Sequence, residues 1–138
     1  QANTGNAVAS AASIESTPLD CYSCLRAGGI AASLAHDHSQ AERWFADAIR
    51  LGPDLPWAYV ERGRARLDAG DTGGALSDAE TATRLGPHFA DALKLAGDAR
   101  ATQGHWSEAI RGYDSALAEA PAWVGLKQAR AAALARVH

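Results

Sequence analysis

The sequence contains few of the features that other protein classes need. β-Branched residues are scarce and no stretch alternates apolar with polar residues, so β-strands are not expected. No apolar run approaches the roughly 20 residues that span a bilayer. Acidic residues outnumber basic ones by 16 to 13, and the formal charge of −3 argues against binding to nucleic-acid phosphates, which requires a basic face. The remainder is an alanine-rich chain of 138 residues whose length and composition predict one all-helical domain.

Groups of residues that could perform catalysis are also missing. No nucleophile, base and orienting residue stand out as a set, because serines such as Ser39 and Ser107 fall at predicted helix starts. The five histidines lie in predicted breaks, at helix starts or at the C-terminus. Gly73 and Gly74 open a helix after a turn and do not form a glycine-rich phosphate loop. The sequence therefore predicts no catalytic residue, no cofactor and no enzyme activity.

The residues that are present repeat with a period of 34. One glycine register, two alanine registers and one proline register keep this period through three copies, which indicates a repeat protein. Each copy predicts two helices, with small residues where the helices cross. The registers are Gly29, Gly63 and Gly97; Ala41, Ala75 and Ala109; Ala48, Ala82 and Ala116; and Pro53, Pro87 and Pro121.

Capping and stop signals predict where the helices begin and end. Ser39, followed by Glu42 three residues later, is predicted to form a capping box, and Ser107 is predicted to cap a later helix. Glycine and proline together end the second helix of a copy, because proline cannot continue a helix. The predicted helices cover about residues 21–35, 39–51, 55–69, 73–85, 89–103, 107–120 and 122–137.

This helix–turn–helix unit, with small residues at the crossings and proline at its end, resembles the tetratricopeptide repeat (TPR) family. The resemblance covers residues 22–121, and residues 122–138 correspond to a C-terminal capping helix. It implies an all-α fold, an α-solenoid in which the repeats stack into a right-handed superhelix. The three predicted units cover about residues 22–55, 56–89 and 90–121.

Several positions depart from the family pattern. The large residue expected in the second helix of each unit is Phe45 or Tyr113 in the outer units but only Ala79 in the middle unit. Arginine replaces apolar residues on the first helices, and its stem is expected to lie along apolar surface. The alternative is a ladder of partly buried guanidinium groups paired with carboxylates. The arginines of this ladder would be Arg66 and Arg100, which share one repeat position, and the candidate carboxylates are Glu61, Asp78 and Asp98.

The two cysteines, Cys21 and Cys24, are too few to form a disulfide framework for a small fold. Together with His36 and His38 they suggest zinc, but a continuous helix would place Cys24 about 18 Å from His36, whereas zinc ligands lie about 2 Å from the metal. The sequence therefore predicts no metal site. Cys24 shares its register with alanine in the other copies and is expected to be a small buried residue. Thiol redox chemistry is the less favoured alternative.

The family resemblance implies that a partner binds to the concave face, which is lined by the first helices of the repeats. A mixture of positive charge and an exposed tryptophan on that face would suit an extended or helical peptide with an acidic group and an apolar anchor. The alternative is that these are ordinary solvated residues, with Trp57 packed on the preceding loop. The predicted binding residues are Arg26, Ile30, Trp57, Val60, Arg64, Lys94 and Asp98.

One subtype of the family is not expected. Chaperone-binding members hold a C-terminal carboxylate in a clamp of lysine, asparagine and arginine. The residues at the clamp positions here are Arg26, Ile30, Glu61, Asp91 and Leu95, of which only Arg26 fits. Because the two acidic residues would repel a carboxylate, a chaperone-tail clamp is not predicted.

These features predict a non-enzymatic scaffold that binds a protein or peptide partner, with no nucleic acid and no membrane span. The alternative is self-assembly, in which residues 1–20 or the last helix pack on a second copy. Residues 1–20 are expected to be a mobile tail, or else to form a short helix over Ala7–Ile14. Because the chain opens with Gln1, we expect either a removed signal peptide, with a periplasmic or exported location, or a piece of a longer, cytoplasmic protein.

Overall fold

A computed structural model describes residues 21–137 of the chain and places seven α-helices and no strand among them. The all-α class predicted from the sequence is confirmed. The predicted tail or short helix over residues 1–20 lies outside the described residues. The helices are α1 (Tyr22–Leu34), α2 (His38–Leu51), α3 (Trp57–Asp68), α4 (Thr72–Leu85), α5 (Ala90–Thr102), α6 (Trp106–Glu119) and α7 (Val124–Val137).

The chain divides into two compact units. The first contains α1 and α2 and ends at Pro53, and the second begins at Asp54 and contains α3 to α7. In the second unit each helix packs on the next, and α5 also contacts α3 and α7. The first helices of successive repeats are therefore neighbours, as in a stacked helical repeat.

In the first unit, α1 and α2 cross at a pair of glycines. A methyl group on Gly28 would lie 2.5 Å from Cδ2 of Trp44, and one on Gly29 would lie 2.5 Å from Cε1 of Phe45. Both distances are too short for a carbon contact, so any side chain on these glycines would push the helices apart. Phe45 is 1% exposed, and burial of a ring of this size contributes roughly 2 kcal/mol or more.

The crossing of α5 and α6 in the second unit follows the same rule. A methyl group on Gly97 would lie 2.7 Å from Cε1 of Tyr113, and one on Gly112 would lie 3.2 Å from the Cα of Gly97. The two backbones therefore touch where both helices lack a side chain. Tyr113 is buried in a cluster that includes Ala109, Ala116 and Leu126.

The crossing of α3 and α4 lacks an aromatic residue, because Ala79 occupies the position of Phe45 and Tyr113. The side chain of Leu95, which belongs to α5 of the following repeat, fills the space instead. A methyl group on Gly63 would lie 2.5 Å from Cδ2 of Leu95, and Leu95 is fully buried in a cluster with Val60 and Ala79. The middle crossing is thus completed by its neighbour in the stack.

Two consecutive repeat positions form the turn between the two helices of each repeat. The first holds a residue with positive φ, which favours glycine: Gly70 and Gly104 in the later repeats and His36, at φ 61°, in the first. The second holds the N-cap, and the side chains of Asp37 and Asp71 accept hydrogen bonds from the N–H groups three residues later. The predicted caps, Ser39 and Ser107, are therefore wrong, because α2 and α6 begin one residue before them and their N-caps are Asp37 and His105.

A buried carboxylate connects α4 to α3. Asp78 is 2% exposed, and its oxygens accept hydrogen bonds from Nε and Nη2 of Arg62 at 2.9 and 2.8 Å and from Nη1 of Arg66 at 3.2 Å. The favoured expectation, that arginine stems only cover apolar surface, is wrong for Arg66, and the alternative of a guanidinium group paired with a carboxylate is correct for it. Nη2 of Arg100, the other arginine at that repeat position, lies 3.9 Å from Oε2 of Glu80.

The last helix, α7, packs on α6 and α5. Its buried residues are Leu126 and Ala133, which lie seven residues apart and therefore on one face of the helix. Val124 is 60% exposed and Ala131 is exposed, because Leu126 lies on the buried face and residues two before or five after it point elsewhere.

We expect Leu95→Ala to lower the free energy of unfolding by about 2–5 kcal/mol, because it empties the space over Gly63. Ala79→Phe alone should destabilise the chain by about 1–3 kcal/mol through overpacking. In the Leu95→Ala background, however, it should restore at least part of the loss, because α4 then carries the aromatic residue of the outer repeats. Urea unfolding of the four proteins measures this cycle. If Ala79→Phe had the same effect in both backgrounds, the conclusion that Leu95 fills the space of the missing aromatic residue would be contradicted.

We expect Asp78→Ala to lower the free energy of unfolding by about 3–5 kcal/mol, because it leaves two partly buried guanidinium groups without their carboxylate. Replacing all three residues, with Arg62→Met, Arg66→Met and Asp78→Leu, should recover most of the loss because the uncompensated charges are gone. Urea unfolding compares the two variants. A triple variant as unstable as Asp78→Ala would show that the loss does not come from charge.

Candidate functional site

The candidate site lies in the second unit, on the face formed by α3, α5 and α7. Helices α3 and α5 are the first helices of successive repeats, α7 is the last helix of the chain, and α5 contacts both of the others. Of the residues predicted to bind a partner, Trp57, Val60 and Arg64 lie on α3, and Lys94 and Asp98 lie on α5. Arg26 and Ile30 lie on α1, which belongs to the first unit.

Asp98 is the centre of a four-residue group, here named the Asp98 cluster, that contains Asp98, Arg64, Lys94 and Tyr113. One carboxylate oxygen accepts hydrogen bonds from Nζ of Lys94 at 2.8 Å and from Nη1 of Arg64 at 3.0 Å. The other accepts the hydroxyl of Tyr113 at 2.6 Å. The cluster thus connects α3, α5 and α6 through one side chain.

The surroundings of Asp98 favour its ionised form. Burial on its own raises the pKa of the carboxyl. The hydrogen bonds from Lys94 and Tyr113 and the positive charges of Lys94 and Arg64 lower it. Together they outweigh burial, so the pKa of Asp98 lies below its usual value of 3.8. Burial, followed by the hydrogen bond to Asp98, raises the pKa of the Tyr113 hydroxyl. The tyrosine therefore remains a hydrogen-bond donor, and the aspartate remains a charged acceptor.

The cluster keeps one positive charge in excess, since two cations share one carboxylate. The Arg64 side chain is 39% exposed, whereas those of Lys94 and Asp98 are 20% and 17% exposed. Arg64 is therefore the member most accessible to a partner. The sequence predicted positive charge at Arg64 and Lys94, and Asp98 neutralises part of that charge.

Aromatic residues lie at the N-terminal ends of the three helices of this face. Trp57 begins α3 and is 44% exposed, and its ring meets the ring of Phe89, just before α5, edge-on at 4.4 Å between centroids. Trp123 lies just before α7, and Nζ of Lys94 is 5.9 Å from the centre of its ring. These three residues, Trp57, Phe89 and Trp123, are named the aromatic edge.

The remaining predicted residues have different surroundings. Val60 is 8% exposed and belongs to the core cluster with Leu95, so it lies beneath the face. In the first unit, Ile30 is 39% exposed, and the guanidinium of Arg26 lies 5.4 Å from the centre of the Tyr22 ring. Tyr113 was not predicted as a site residue. The sequence feature that could have indicated it is a tyrosine at the repeat position that packs on Gly97, because Asp98 directly follows Gly97 and can accept the tyrosine hydroxyl.

The cysteines differ from the expectation. Cys21 and Cys24 are joined by a disulfide, with their Cα atoms 5.2 Å apart, and Cys24 is half-buried. The expectation that Cys24 is a small buried residue is therefore wrong, because its position in the first turn of α1 places it opposite the N-cap cysteine. Among residues 21–137, no group of three or more candidate ligands could hold a metal ion.

None of the helices in the described part of the chain is long and apolar enough to cross a membrane. A scan against protein-family models returns no match. Comparison with curated proteins and with solved structures, by contrast, gives a consistent result.

Two curated relatives match parts of the chain. The small glutamine-rich tetratricopeptide repeat-containing protein 2 of Mycosarcoma maydis is 31% identical over 108 residues, which are 78% of this chain and 31% of that protein. Protein FlbA of Caulobacter vibrioides is 38% identical over 86 residues, which are 56% of this chain and 14% of that protein. The chain thus spans about a third of one relative and about a seventh of the other.

Solved tetratricopeptide repeat domains share the fold. The first TPR domain of human RPAP3 has a TM-score of 0.82 at 18% identity and covers 87% of this chain and 94% of that domain. The first TPR of Spaghetti (RPAP3) bound to the HSP90 peptide SRMEEVD has a TM-score of 0.80 at 18% identity, with 84% and 94% covered. The TPR2B-domain:pHsp70 complex of yeast Sti1 has a TM-score of 0.76 at 17% identity, with 83% and 97% covered.

The 34-residue period, the glycine crossings and these comparisons lead to one conclusion. The chain has the helical repeat fold of tetratricopeptide repeat domains, and 78% of it is similar in sequence to a tetratricopeptide repeat-containing protein.

We expect Asp98→Asn to destabilise the chain by about 1–3 kcal/mol at pH 7, because it removes the charged acceptor of three hydrogen bonds. The pKa of Asp98 is lower in the folded chain than in the unfolded chain. Its ionised form therefore stabilises the fold above the unfolded pKa, and this contribution disappears as the pH falls through the folded pKa. The difference from the native chain should close between about pH 4 and pH 2.

Urea unfolding at a series of pH values measures this difference. Asp114→Asn is the matched control, because Asp114 pairs with Arg130 at the surface and should contribute less than about 1 kcal/mol at every pH. A difference between the native chain and Asp98→Asn that stays constant from pH 7 to pH 2 would contradict the lowered pKa.

Proposed function

We propose that the chain is a protein-interaction scaffold without enzyme activity, and that it binds a segment of a partner protein on the face of α3, α5 and α7. The observation that carries this proposal is that an exposed cation and an exposed aromatic side chain lie on the same side of one helix. Trp57 and Arg64 are seven residues apart on α3, which places them on the same side of the helix about 10 Å apart.

The proposed partner segment carries an apolar side chain and an acidic group at a matching separation. The apolar side chain would pack on the aromatic edge, where Trp57 keeps 44% of its surface exposed. The acidic group would pair with the guanidinium of Arg64, because the Asp98 cluster keeps one positive charge in excess. The cluster holds both cations in place before binding, which lowers the entropy lost by ordering them.

The comparisons support the general class of this function. Two of the similar domains are described with a peptide or chaperone partner, namely the HSP90 peptide SRMEEVD and pHsp70. The first of these peptides contains acidic residues, as does the segment proposed here. At 17–18% identity these domains share the fold with this chain, so a peptide partner for this chain is an inference from its own surface.

The proposed mode differs from a chaperone carboxylate clamp. At the clamp positions Glu61 and Asp91 would add negative charge, and Leu95 is fully buried in the core. The accessible cation, Arg64, lies elsewhere on the face and is held by Asp98. We therefore propose an acidic side chain within a segment, not a C-terminal carboxylate, as the group that this face recognises.

The test is selection of binders from a displayed library of random peptides, followed by affinity measurement with fluorescence anisotropy. We expect the selected peptides to combine aromatic or leucine residues with aspartate or glutamate. Trp57→Ala and Arg64→Gln should each weaken binding by about tenfold or more, which corresponds to about 1.4 kcal/mol. Added salt should weaken binding to the native chain more than binding to Arg64→Gln.

Arg84→Gln is the matched control, because Arg84 is an exposed arginine on α4, a second helix of its repeat. It should leave the affinity unchanged. Peptides that bind all three variants as well as the native chain would contradict the proposed face. Sedimentation velocity on the same samples tests the alternative function, self-assembly, by measuring the oligomeric state. A dimer that forms equally well with Trp57→Ala would favour self-assembly.

A further inference from the structure

The proposed binding function leaves the disulfide at the start of α1 unexplained. Cys21 is the N-cap of α1 and Cys24 is the third residue of the helix, and both are half-buried. Both residues therefore keep part of their surface in contact with solvent. The two cysteines are separated by two residues at a helix start, and in such a Cys-X-X-Cys arrangement the helix start lowers the pKa of a thiol and favours thiol–disulfide exchange.

The disulfide takes the place of a capping side chain. The first backbone bond of the helix runs from the N–H of Leu25 to the carbonyl oxygen of Cys21, and no side-chain capping bond accompanies it. The third helical residue is the one whose N–H an N-cap side chain usually reaches. In the reduced chain the Cys21 sulfur would therefore lie where a capping oxygen normally accepts hydrogen bonds.

The charges around this helix start suit a thiolate. The first turn of α1 contains no acidic residue, and Arg26 is the single charged residue of the helix sequence YSCLRAGGIAASL. The positive end of the helix dipole lies at the same place. Within the described residues, a negative charge on the Cys21 sulfur would therefore meet backbone N–H groups and no carboxylate in the first turn of α1; Asp20, which precedes Cys21 in the sequence, lies outside the described residues.

The fold of the first unit depends little on this disulfide. Its buried residues on α1 and α2 are Leu25, Gly29, Ala41, Phe45 and Ala48, and neither sulfur is among them. The cysteines are separated by only three positions, and a short closed loop restrains the unfolded chain less than a long one. Reduction can therefore occur while the helices remain folded.

We propose that Cys21 and Cys24 form a thiol–disulfide exchange site whose reaction partner is an external dithiol, of the kind carried by a two-cysteine protein. A thiolate of the dithiol attacks Sγ of Cys24, a mixed disulfide forms, and Cys21 leaves as the thiolate that the helix start stabilises. The second thiolate of the dithiol then attacks its own sulfur in the mixed disulfide and releases Cys24, which takes up a proton. Two electrons pass to this chain, and the dithiol becomes a disulfide.

The first test follows reduction of the folded chain by dithiothreitol at pH 7. Samples are alkylated with iodoacetamide, analysed by mass spectrometry and compared by far-ultraviolet circular dichroism. We expect both cysteines to become alkylated while the ellipticity stays unchanged. Alkylation that appears only after a denaturant has unfolded the chain would overturn the proposal, because the disulfide would then be inaccessible in the native state.

The second test compares two single-cysteine variants that both retain a capping group. In Cys24→Ser the thiol of Cys21 should ionise below its ordinary range and should react with iodoacetamide at pH 7 at least about threefold faster than an unstructured cysteine. In Cys21→Ser, where serine is a favourable N-cap, the thiol of Cys24 should react no faster than the unstructured reference. Equal rates for the two variants would overturn the assignment of Cys21 as the stabilised thiolate.

Discussion

The whole structure depends on the close approach of paired helices at positions that have no side chain. At Gly29, Gly63 and Gly97 there is no room for a methyl group, since a side chain of another helix lies directly over the backbone. The three crossings are completed in different ways, by Phe45 from the same repeat, by Leu95 from the next repeat and by Tyr113 from the same repeat. The middle repeat is thus the one that cannot complete its core without a neighbour, which is the physical basis of cooperativity in stacked repeats.

The candidate binding face is built on one of these crossings. The ring of Tyr113 covers Gly97, and its hydroxyl therefore reaches Asp98, the next residue along α5. Arg64, which pairs with Asp98, lies 34 residues earlier and so occupies the same register of the preceding repeat. A carboxylate and a guanidinium at one register of adjacent repeats join the two first helices, and the core contact behind them holds the carboxylate in position.

The second unit contains two groups in which one aspartate binds two cationic side chains, and the two groups differ in how deeply the aspartate is buried. Asp78 is buried and holds two guanidinium groups, while Asp98 is partly buried and holds a guanidinium and an ammonium group. The deeper group connects the two helices of one repeat, whereas the shallower group connects repeats and keeps an accessible cation. Arg64 is 39% exposed, whereas Arg62 and Arg66 are 19% and 23% exposed, so Arg64 is the most accessible cation of the two groups.

The sequence by itself determined the repeat period, the helical class, the resemblance to tetratricopeptide repeats and the approximate helix ends, because these depend on residue types at fixed local spacing. It also contained the N-caps, since Asp37, Asp71 and His105 share one register, although Ser39 and Ser107 looked like better caps. Only the tertiary structure decided that Leu95 covers Gly63. It also decided that Asp98 binds Arg64, Lys94 and Tyr113 and that a disulfide joins Cys21 and Cys24. Most of these contacts join residues 15 to 34 positions apart, so they depend on how helices stack and not on the local pattern.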